Sequence, residues 1–197
     1  MNRKETTKFL TELLISNRLS DRKYYAKEVT LDYGTNHQKR IDVMEFKPAG
    51  VVHTSDIEKG SFVSYEIKSC RDDVYSGNGL NFYCEENYIV TTMETYKALQ
   101  DDMREGVLQK HILSCMGLSE KSTCPYFGVM VPVPSCVDLR HTEEKYVAYH
   151  DPTPLDGDIS GWKYYNILPI SRPWHRDRSM NELLFCMLRA KHSYSNS

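Results

Sequence analysis

Three stretches in the first third of the chain alternate between apolar and polar residues, which is the pattern of half-buried β-strands. They cover residues 24–31, 39–47 and 61–69. Turn-forming residues separate them, with Gly34 in the first gap and Pro48, Gly50 and Gly60 in the second. The sequence therefore predicts a meander of three antiparallel strands.

Helical and buried-strand patterns account for much of the remainder. Residues 3–17 place Leu10, Leu13 and Leu14 on one stripe, which predicts an amphipathic helix. The later predicted elements are a strand at 88–91, a helix from Thr92 to about Met103, strands at 126–131 and 162–170, and a helix at 178–191. The strand–helix–strand order favours parallel neighbours. We therefore expect an α/β (α+β) fold with a mixed central β-sheet flanked by helices.

At 197 residues the chain is long enough to bury a real core as one domain. We expect a single domain over residues 1–197, with poorly patterned insertions near 105–124 and 133–160. Apolar residues make up 40% of the chain and charged residues 26%, as in ordinary globular proteins. No apolar run reaches membrane-spanning length and no secretory signal opens the chain. These features predict a cytoplasmic protein without a membrane partner.

Two acids and a lysine are predicted to meet on neighbouring strands. Side chains alternate across a strand, so Glu66 and Lys68 share one face, and Asp42 lies on a face of the preceding strand together with Arg40 and Met44. If the two faces coincide, Asp42, Glu66 and Lys68 converge. Paired carboxylates are ligands for a hard divalent cation, and a lysine beside them can manage protons.

Two other interpretations of these residues stand beside the metal site. Glu45-Phe46-Lys47 also has the Glu-x-Lys pattern, but alternation puts Glu45 and Lys47 on the face opposite Asp42. We therefore choose Glu66 and Lys68. The three charged residues would also suit an exposed ladder of ion pairs across two strands.

The order of these residues resembles the PD-(D/E)XK nuclease superfamily, in which an acid is followed after a hairpin by Glu-x-Lys. A longer series is similar to the MmcB-like DNA-repair family and related small phage proteins. That series consists of Arg40–Val43, Glu66–Ser69, Gly79–Tyr83, Asn87–Val90, Tyr126–Val129 and the closing stretch from Arg178 to Arg189. It covers most of the chain, and it departs from the superfamily pattern at Ile41, where a proline would precede the acid.

The resemblance implies a restriction-endonuclease-like core and a Mg²⁺ (or Mn²⁺) cofactor. Asp42, Glu66 and the backbone carbonyl of Ile67 would hold the cation, and Lys68 would act on the attacking water. An opening helix often lends a further acid in the superfamily, for which Glu12 is the candidate; a solvated helix carboxylate is the alternative.

DNA is the partner that the resemblance implies. Ser69 and Asn81 are candidate contacts to it, inferred mainly from the resemblance. Arg176 belongs to a basic cluster at a helix start, which suits DNA phosphates or a solvated helix end equally. The net charge of −2 argues against a general nucleic-acid coat protein but not against local phosphate contacts. The sequence does not fix the oligomeric state, and a homodimer is one option.

The six cysteines form no Cys-x-x-Cys pair, so free thiols are expected. A zinc clip from Cys115, Cys124 and Cys136 is the alternative. Two functions from different classes follow from the whole sequence. The first is a Mg²⁺-dependent nuclease that hydrolyses DNA phosphodiester bonds in repair, restriction or phage DNA processing. The second is a non-catalytic nucleic-acid-binding or protein-interaction module on the same fold.

Overall fold

The computed structural model describes residues 1–19, 24–50, 53–77 and 79–193. The helices are α1 (Arg3–Arg18), α2 (Thr54–Glu58), α3 (Arg71–Val74), α4 (Met93–Arg104), α5 (Val107–Cys115), α6 (Thr142–His150) and α7 (Met180–Ser193). The strands are β1 (Tyr24–Leu31), β2 (Lys39–Lys47), β3 (Ser61–Lys68), β4 (Glu86–Thr91), β5 (Gly128–Pro134) and β6 (Trp162–Leu168).

The strands form one mixed sheet in the order β1-β2-β3-β4-β5-β6. The first three strands are antiparallel neighbours, which confirms the predicted meander. β4 runs parallel to both β3 and β5, as the strand–helix–strand pattern predicts for β4 and β5. β6 closes the sheet antiparallel to β5. The α/β class and the mixed sheet flanked by helices are therefore confirmed.

Helix α1 covers one face of the sheet. Asn2 caps its N-terminus by accepting a hydrogen bond from the Glu5 N–H, and the Glu5 carboxylate accepts one from the Asn2 N–H. Its apolar stripe packs on alternate residues of the central strands and on two aromatic side chains of β6. The main members of this core are Phe9, Leu10, Leu13, Leu14, Val63, Tyr65, Ile67, Trp162 and Tyr164. This packing fixes α1 beside the end of β3.

The opposite face is covered by α4 and α5 at one side and by α7 at the other. α4 and α5 pack Leu99, Leu108 and Ile112 with residues of β4 and β5. α7 packs Leu183 and Met187 with residues of β1, β2 and β3. The sheet is thus the middle of three layers.

One expectation about β2 needs correction, because its alternation breaks at Asp42. Ile41 packs in the same core cluster as Met44 and Phe46, although an odd number of positions separates them. Arg40 is exposed. In the facing strand Glu28 stands between the pairs Lys27–Val43 and Val29–Ile41, with a left-handed φ of 54°. This irregularity turns both strands locally at Asp42.

Candidate active site

Asp42, Glu66 and Lys68 come together at the end of the β2–β3 pair. Met44 lies opposite Ser64 and Val43 opposite Tyr65, and the next pair in this register is Asp42 with Glu66. The Ile67 N–H donates a hydrogen bond of 2.8 Å to Asp42 Oδ2. The sheet register therefore places the acid from β2 beside the Glu-x-Lys of β3, as the sequence predicts.

The three side chains differ in their exposure. Glu66 retains only 1% of its accessible surface and Lys68 only 3%, whereas Asp42 is half-buried. A cleft of about 420 Å³ opens in front of them. Its lining consists of Arg3, Thr7, Thr11, Lys27, Glu28, Arg40, Asp42, Ile67, Lys68 and Asp73. Glu66 lies behind this lining.

Burial and mutual repulsion shape the electrostatics of the carboxyl pair. Burial raises the pKa of Glu66 well above its usual range, and the neighbouring Asp42 charge raises it further. The Lys68 charge and the Asn81 N–H oppose this shift. Burial also raises the pKa of Asp42, against the hydrogen bond from Ile67 and the charge of Lys68. A bound cation would stabilise the ionised form of both carboxyl groups, because its positive charge offsets their mutual repulsion.

One carboxylate oxygen of Glu66 has no hydrogen-bond partner within the described parts of the chain. Oε1 accepts a bond of 3.2 Å from the Asn81 N–H, but the buried Oε2 accepts none. A buried carboxyl oxygen without a partner is costly, and a bound cation would satisfy it. The carboxylate oxygens of Asp42 and Glu66 are hard donors, which suits Mg²⁺ or Mn²⁺.

The described residues do not form a larger cluster of metal-binding side chains around this pair. Among the residues that the structure describes, no group of three or more His, Cys, Asp or Glu side chains is arranged to hold a metal ion. The site therefore offers two carboxylates. Mg²⁺ is commonly bound by one or two carboxylates, with waters and substrate phosphate completing its shell.

The competing Glu-x-Lys triplet has a separate environment. Glu45 is buried, and its Oε2 accepts a hydrogen bond of 2.8 Å from the Tyr65 hydroxyl. Lys47 forms an ion pair of 3.2 Å with Glu86. Neither residue lines the cleft at Asp42.

Glu12 lies outside the cleft. The α1 residues in its lining are Arg3, Thr7 and Thr11, which repeat every four positions. Glu12 is one position further round the helix, exposed, and 3.8 Å from Lys8. This placement corrects the expectation that Glu12 adds a carboxylate to the metal site.

Ser69 and Asn81 support the site from inside the fold. The N–H and hydroxyl of Ser69 both donate to Asp73 Oδ2, at 3.0 and 3.1 Å. Asn81 is 3% exposed, and its Nδ2 donates to the Arg40 carbonyl oxygen at 2.7 Å. Both residues therefore hold neighbouring groups in place, and this burial does not favour a direct contact with DNA.

Arg176 lies far from the cleft, and this corrects its expected place at the DNA-binding site. Its guanidinium donates to Glu85 Oε1 at 2.5 Å and stacks over the Phe62 ring. Phe62 is six residues before Lys68 on β3, which corresponds to about 20 Å along a strand. Arg176 instead ties the segment before α7 to the far end of the sheet.

Sequence analysis missed the cleft residues Arg3, Lys27, Glu28, Arg40 and Asp73 as members of the site. The sequence pattern pointed only to Arg40, because it stands two positions before Asp42 on the same predicted strand. The others come from α1, β1 and α3, and only the tertiary fold brings them together.

The six cysteines are all free, as expected. Among the described residues, Cys115, Cys124 and Cys136 do not form a group that could bind a metal ion. The described helices include none with the length and apolar character needed to cross a membrane.

No protein-family model, no curated protein and no solved structure matches this chain.

Proposed function

We propose that this protein is a Mg²⁺-dependent nuclease that hydrolyses DNA phosphodiester bonds. The observation that carries the proposal is the carboxylate pair of half-buried Asp42 and buried Glu66, with Lys68 beside it, at the end of a polar cleft. Glu66 Oε2, buried and without a donor, supports a cation at this place. The proposed setting is DNA repair, restriction or phage DNA processing in the cytoplasm.

Asp42, Glu66 and the Ile67 carbonyl would hold the cation. When bound, Mg²⁺ or Mn²⁺ supplies a more acidic water and screens the phosphate charge. Asp42 keeps its orientation through the Ile67 N–H, and Glu66 keeps its own through the Asn81 N–H. These two hydrogen bonds hold the carboxylates in a fixed geometry before substrate binds.

Lys68 stands where it can act on the attacking water. In hydrolysis, the water oxygen loses a proton to solvent and bonds to phosphorus, the bond from phosphorus to the ester oxygen breaks, and the leaving alkoxide takes up a proton from solvent. The Lys68 side chain lines the cleft and its charge acts on both carboxyl groups. It would orient the water and balance the negative charge that develops on the phosphate.

The sheet order supports a restriction-endonuclease-like core for this proposal. An opening helix, a three-stranded antiparallel meander and a parallel fourth strand lie in succession, with the site at the end of the second and third strands. The resemblance of the chain to PD-(D/E)XK nucleases through Asp42 and Glu66-Ile67-Lys68 points the same way.

A non-catalytic nucleic-acid-binding module is the second candidate. The observation that favours it is the lack of a third metal-binding side chain beside Asp42 and Glu66 in the described parts of the chain. Such a module would have no need to bind Mg²⁺ between the two carboxylates.

A cleavage panel tests the proposal. Purified protein is incubated with duplex, single-stranded and forked DNA and with RNA, in Mg²⁺, in Mn²⁺ and in EDTA. Lys68→Ala is the inactive variant, and Lys47→Ala, from the competing triplet, is the matched control. We expect metal-dependent cutting of DNA that only Lys68→Ala loses. Absence of cutting on every substrate, together with no Mg²⁺ binding, would favour the module.

A further inference from the structure

Two arginines stand on different walls of the cleft that holds Asp42 and Lys68. Arg3 comes from the first turn of α1 and Arg40 from β2, and both line the cleft. Their side chains are 59% and 61% exposed, so the guanidinium groups face solvent at the opening. Arg40 is two residues from Asp42 along β2. Arg3 forms an ion pair with Asp73, which accepts a hydrogen bond from the N–H of Ser69, the residue after Lys68.

Arg3 is held by an ion pair in which the arginine is the exposed partner. Its Nη2 lies 2.5 Å from Asp73 Oδ1. The other oxygen, Asp73 Oδ2, accepts bonds from the N–H and hydroxyl of Ser69. Asp73 therefore keeps its donors at Ser69 when Arg3 leaves. The Arg3 side chain is 59% exposed, so an anion that enters the cleft can reach its guanidinium.

Arg40 forms one ion pair through its side chain, and a hydrogen bond holds its backbone in place. Its Nε lies 2.8 Å from Glu28 Oε2, and its side chain is 61% exposed. The Arg40 carbonyl oxygen accepts a bond from Asn81 Nδ2, and the Asn81 N–H donates to Glu66 Oε1. Asn81 therefore fixes the backbone of Arg40 relative to the carboxylate that would hold the cation.

We infer that Arg3 and Arg40 bind DNA backbone phosphates on the two sides of the phosphodiester that faces Asp42 and Glu66. This inference rests on the proposed nuclease function. The planar guanidinium fork matches two phosphate oxygens, and its charge is permanent. Asp73 and Glu28 hold the arginines in place in the DNA-free protein, and the phosphates replace these carboxylates when DNA enters the cleft.

Equilibrium binding of DNA tests the inference without cleavage. The Lys68→Ala protein is titrated in Mg²⁺ against a fluorescein-labelled DNA duplex, and anisotropy gives Kd at several salt concentrations. Arg3→Gln and Arg40→Gln are each added to this background. The matched control is Arg104→Gln, since Arg104 is 74% exposed and ion-paired with Asp101 on α4, outside the cleft lining. Thermal unfolding of each variant shows that it is folded.

We expect each cleft variant to raise Kd roughly tenfold, the loss of one charged hydrogen-bonded contact. The slope of log affinity against log salt falls by about 0.9 for each lost phosphate contact. Arg104→Gln leaves Kd and slope unchanged. Unchanged Kd and slope in both Arg3→Gln and Arg40→Gln, with tight binding by the parent protein, overturns the inference and leaves the nuclease proposal standing.

Two further variants separate phosphate contact from structural support. Asp73→Asn and Glu28→Gln remove the charges that hold Arg3 and Arg40 but keep side chains of similar shape. If the arginines bind phosphate, these variants bind DNA as tightly as the parent or more tightly. If they weaken binding as much as Arg3→Gln and Arg40→Gln, the arginines act only on the fold and the inference fails. The parent protein is also titrated against single-stranded and forked DNA, and absence of binding to all three refutes the nuclease proposal as well.

Discussion

The Ile67 N–H donates a hydrogen bond of 2.8 Å to Asp42 Oδ2, which ties the acid of β2 to the backbone of β3. Ile67 stands between Glu66 and Lys68, so this one bond sets Asp42 beside both side chains. The bond also occupies one oxygen of Asp42 and leaves the other for a cation. The relationship explains why the two strands must pair in the observed register for the site to exist.

Lys68→Ala should abolish DNA cleavage while folding and metal binding persist. Removing one group that stabilises charge in the transition state costs about 10²- to 10³-fold in rate, so the single-turnover rate should fall by at least about 100-fold. Single-turnover cleavage in Mg²⁺ measures the loss. Lys47→Ala is the control, because Lys47 has the same position in the competing Glu-x-Lys triplet. Greater damage from Lys47→Ala or Glu45→Ala would mean that the site uses the other face of β2.

Glu66→Gln should stabilise the metal-free protein at neutral pH. Burial and the Asp42 charge raise the pKa of Glu66 in the folded state, so the folded protein binds this proton more tightly than the unfolded chain does. Above the ordinary glutamate pKa of about 4.3, raising the pH therefore lowers the free energy of unfolding. Glutamine has no such titration, and its amide can donate to the Asp42 carboxylate.

Urea unfolding in EDTA at a series of pH values measures this effect. The wild type should lose stability as the pH rises from about 5, whereas Glu66→Gln should show a flatter profile. At neutral pH the variant should be more stable by about 1–3 kcal/mol, the cost of a buried unsatisfied group. Glu12→Gln is the control, since Glu12 is exposed on α1. If the free energy of unfolding changed with pH in the same way in the wild type and in Glu66→Gln, titration of Glu66 would not be the cause of the pH dependence.

The strands and long helices were predictable because their patterns are strong. The observed bounds of β1 and β2 coincide with the predicted ones, since their residues favour strands and turn-forming residues follow each strand. α4 begins after Thr92, whose hydroxyl accepts a bond from the Thr95 N–H, as a capping residue does. α6 was not predicted, and it has no buried residue. It therefore left no apolar stripe in the sequence to find.

The core of the site was predictable and its surroundings were not. The pairing of β2 with β3, which brings Asp42 to Glu66 and Lys68, follows from local patterns in two neighbouring strands, although the face that Asp42 occupies does not. Arg3 and Asp73 are 70 positions apart and meet only because α1 packs beside the end of β3. The left-handed φ of Glu28 is equally invisible in sequence, since glycine or asparagine usually marks such a position. Tertiary packing decides these contacts.

Asp42→Asn should abolish the stabilisation of the fold by Mg²⁺. A ligand that binds only the folded state stabilises it by RT ln(1 + [L]/Kd), about 1.4 kcal/mol when the metal concentration is ten times Kd. The wild type should therefore show a higher Tm in Mg²⁺ than in EDTA. Asparagine keeps an oxygen that can accept from the Ile67 N–H, so the fold should remain, but it loses the charge that holds the cation.

Thermal unfolding across a Mg²⁺ titration measures this response. Asp101→Asn is the control, because Asp101 is an exposed acid on α4 outside the cleft. It should retain the full Mg²⁺ response. An equal response in Asp42→Asn would place the stabilising cation elsewhere.

Gly79→Ala should damage the site more than Gly77→Ala, although both glycines adopt a left-handed backbone. Their φ values are 84° and 76°, so alanine at either position costs about 1 kcal/mol in backbone strain. A Cβ on Gly79 would also lie 2.9 Å from Asn81 Nδ2 and 3.4 Å from Glu66 Oε2, whereas one on Gly77 would meet nothing within 4 Å.

Gly79→Ala should therefore displace Asn81, weaken its hydrogen bonds to Glu66 and the Arg40 carbonyl, and lower both Mg²⁺ affinity and kcat. Gly77→Ala should lower the stability of the fold but leave Mg²⁺ affinity and kcat unchanged. Equal activity in the two variants, at equal loss of Tm, would show that the close approach of Gly79 to Glu66 does not matter to the site.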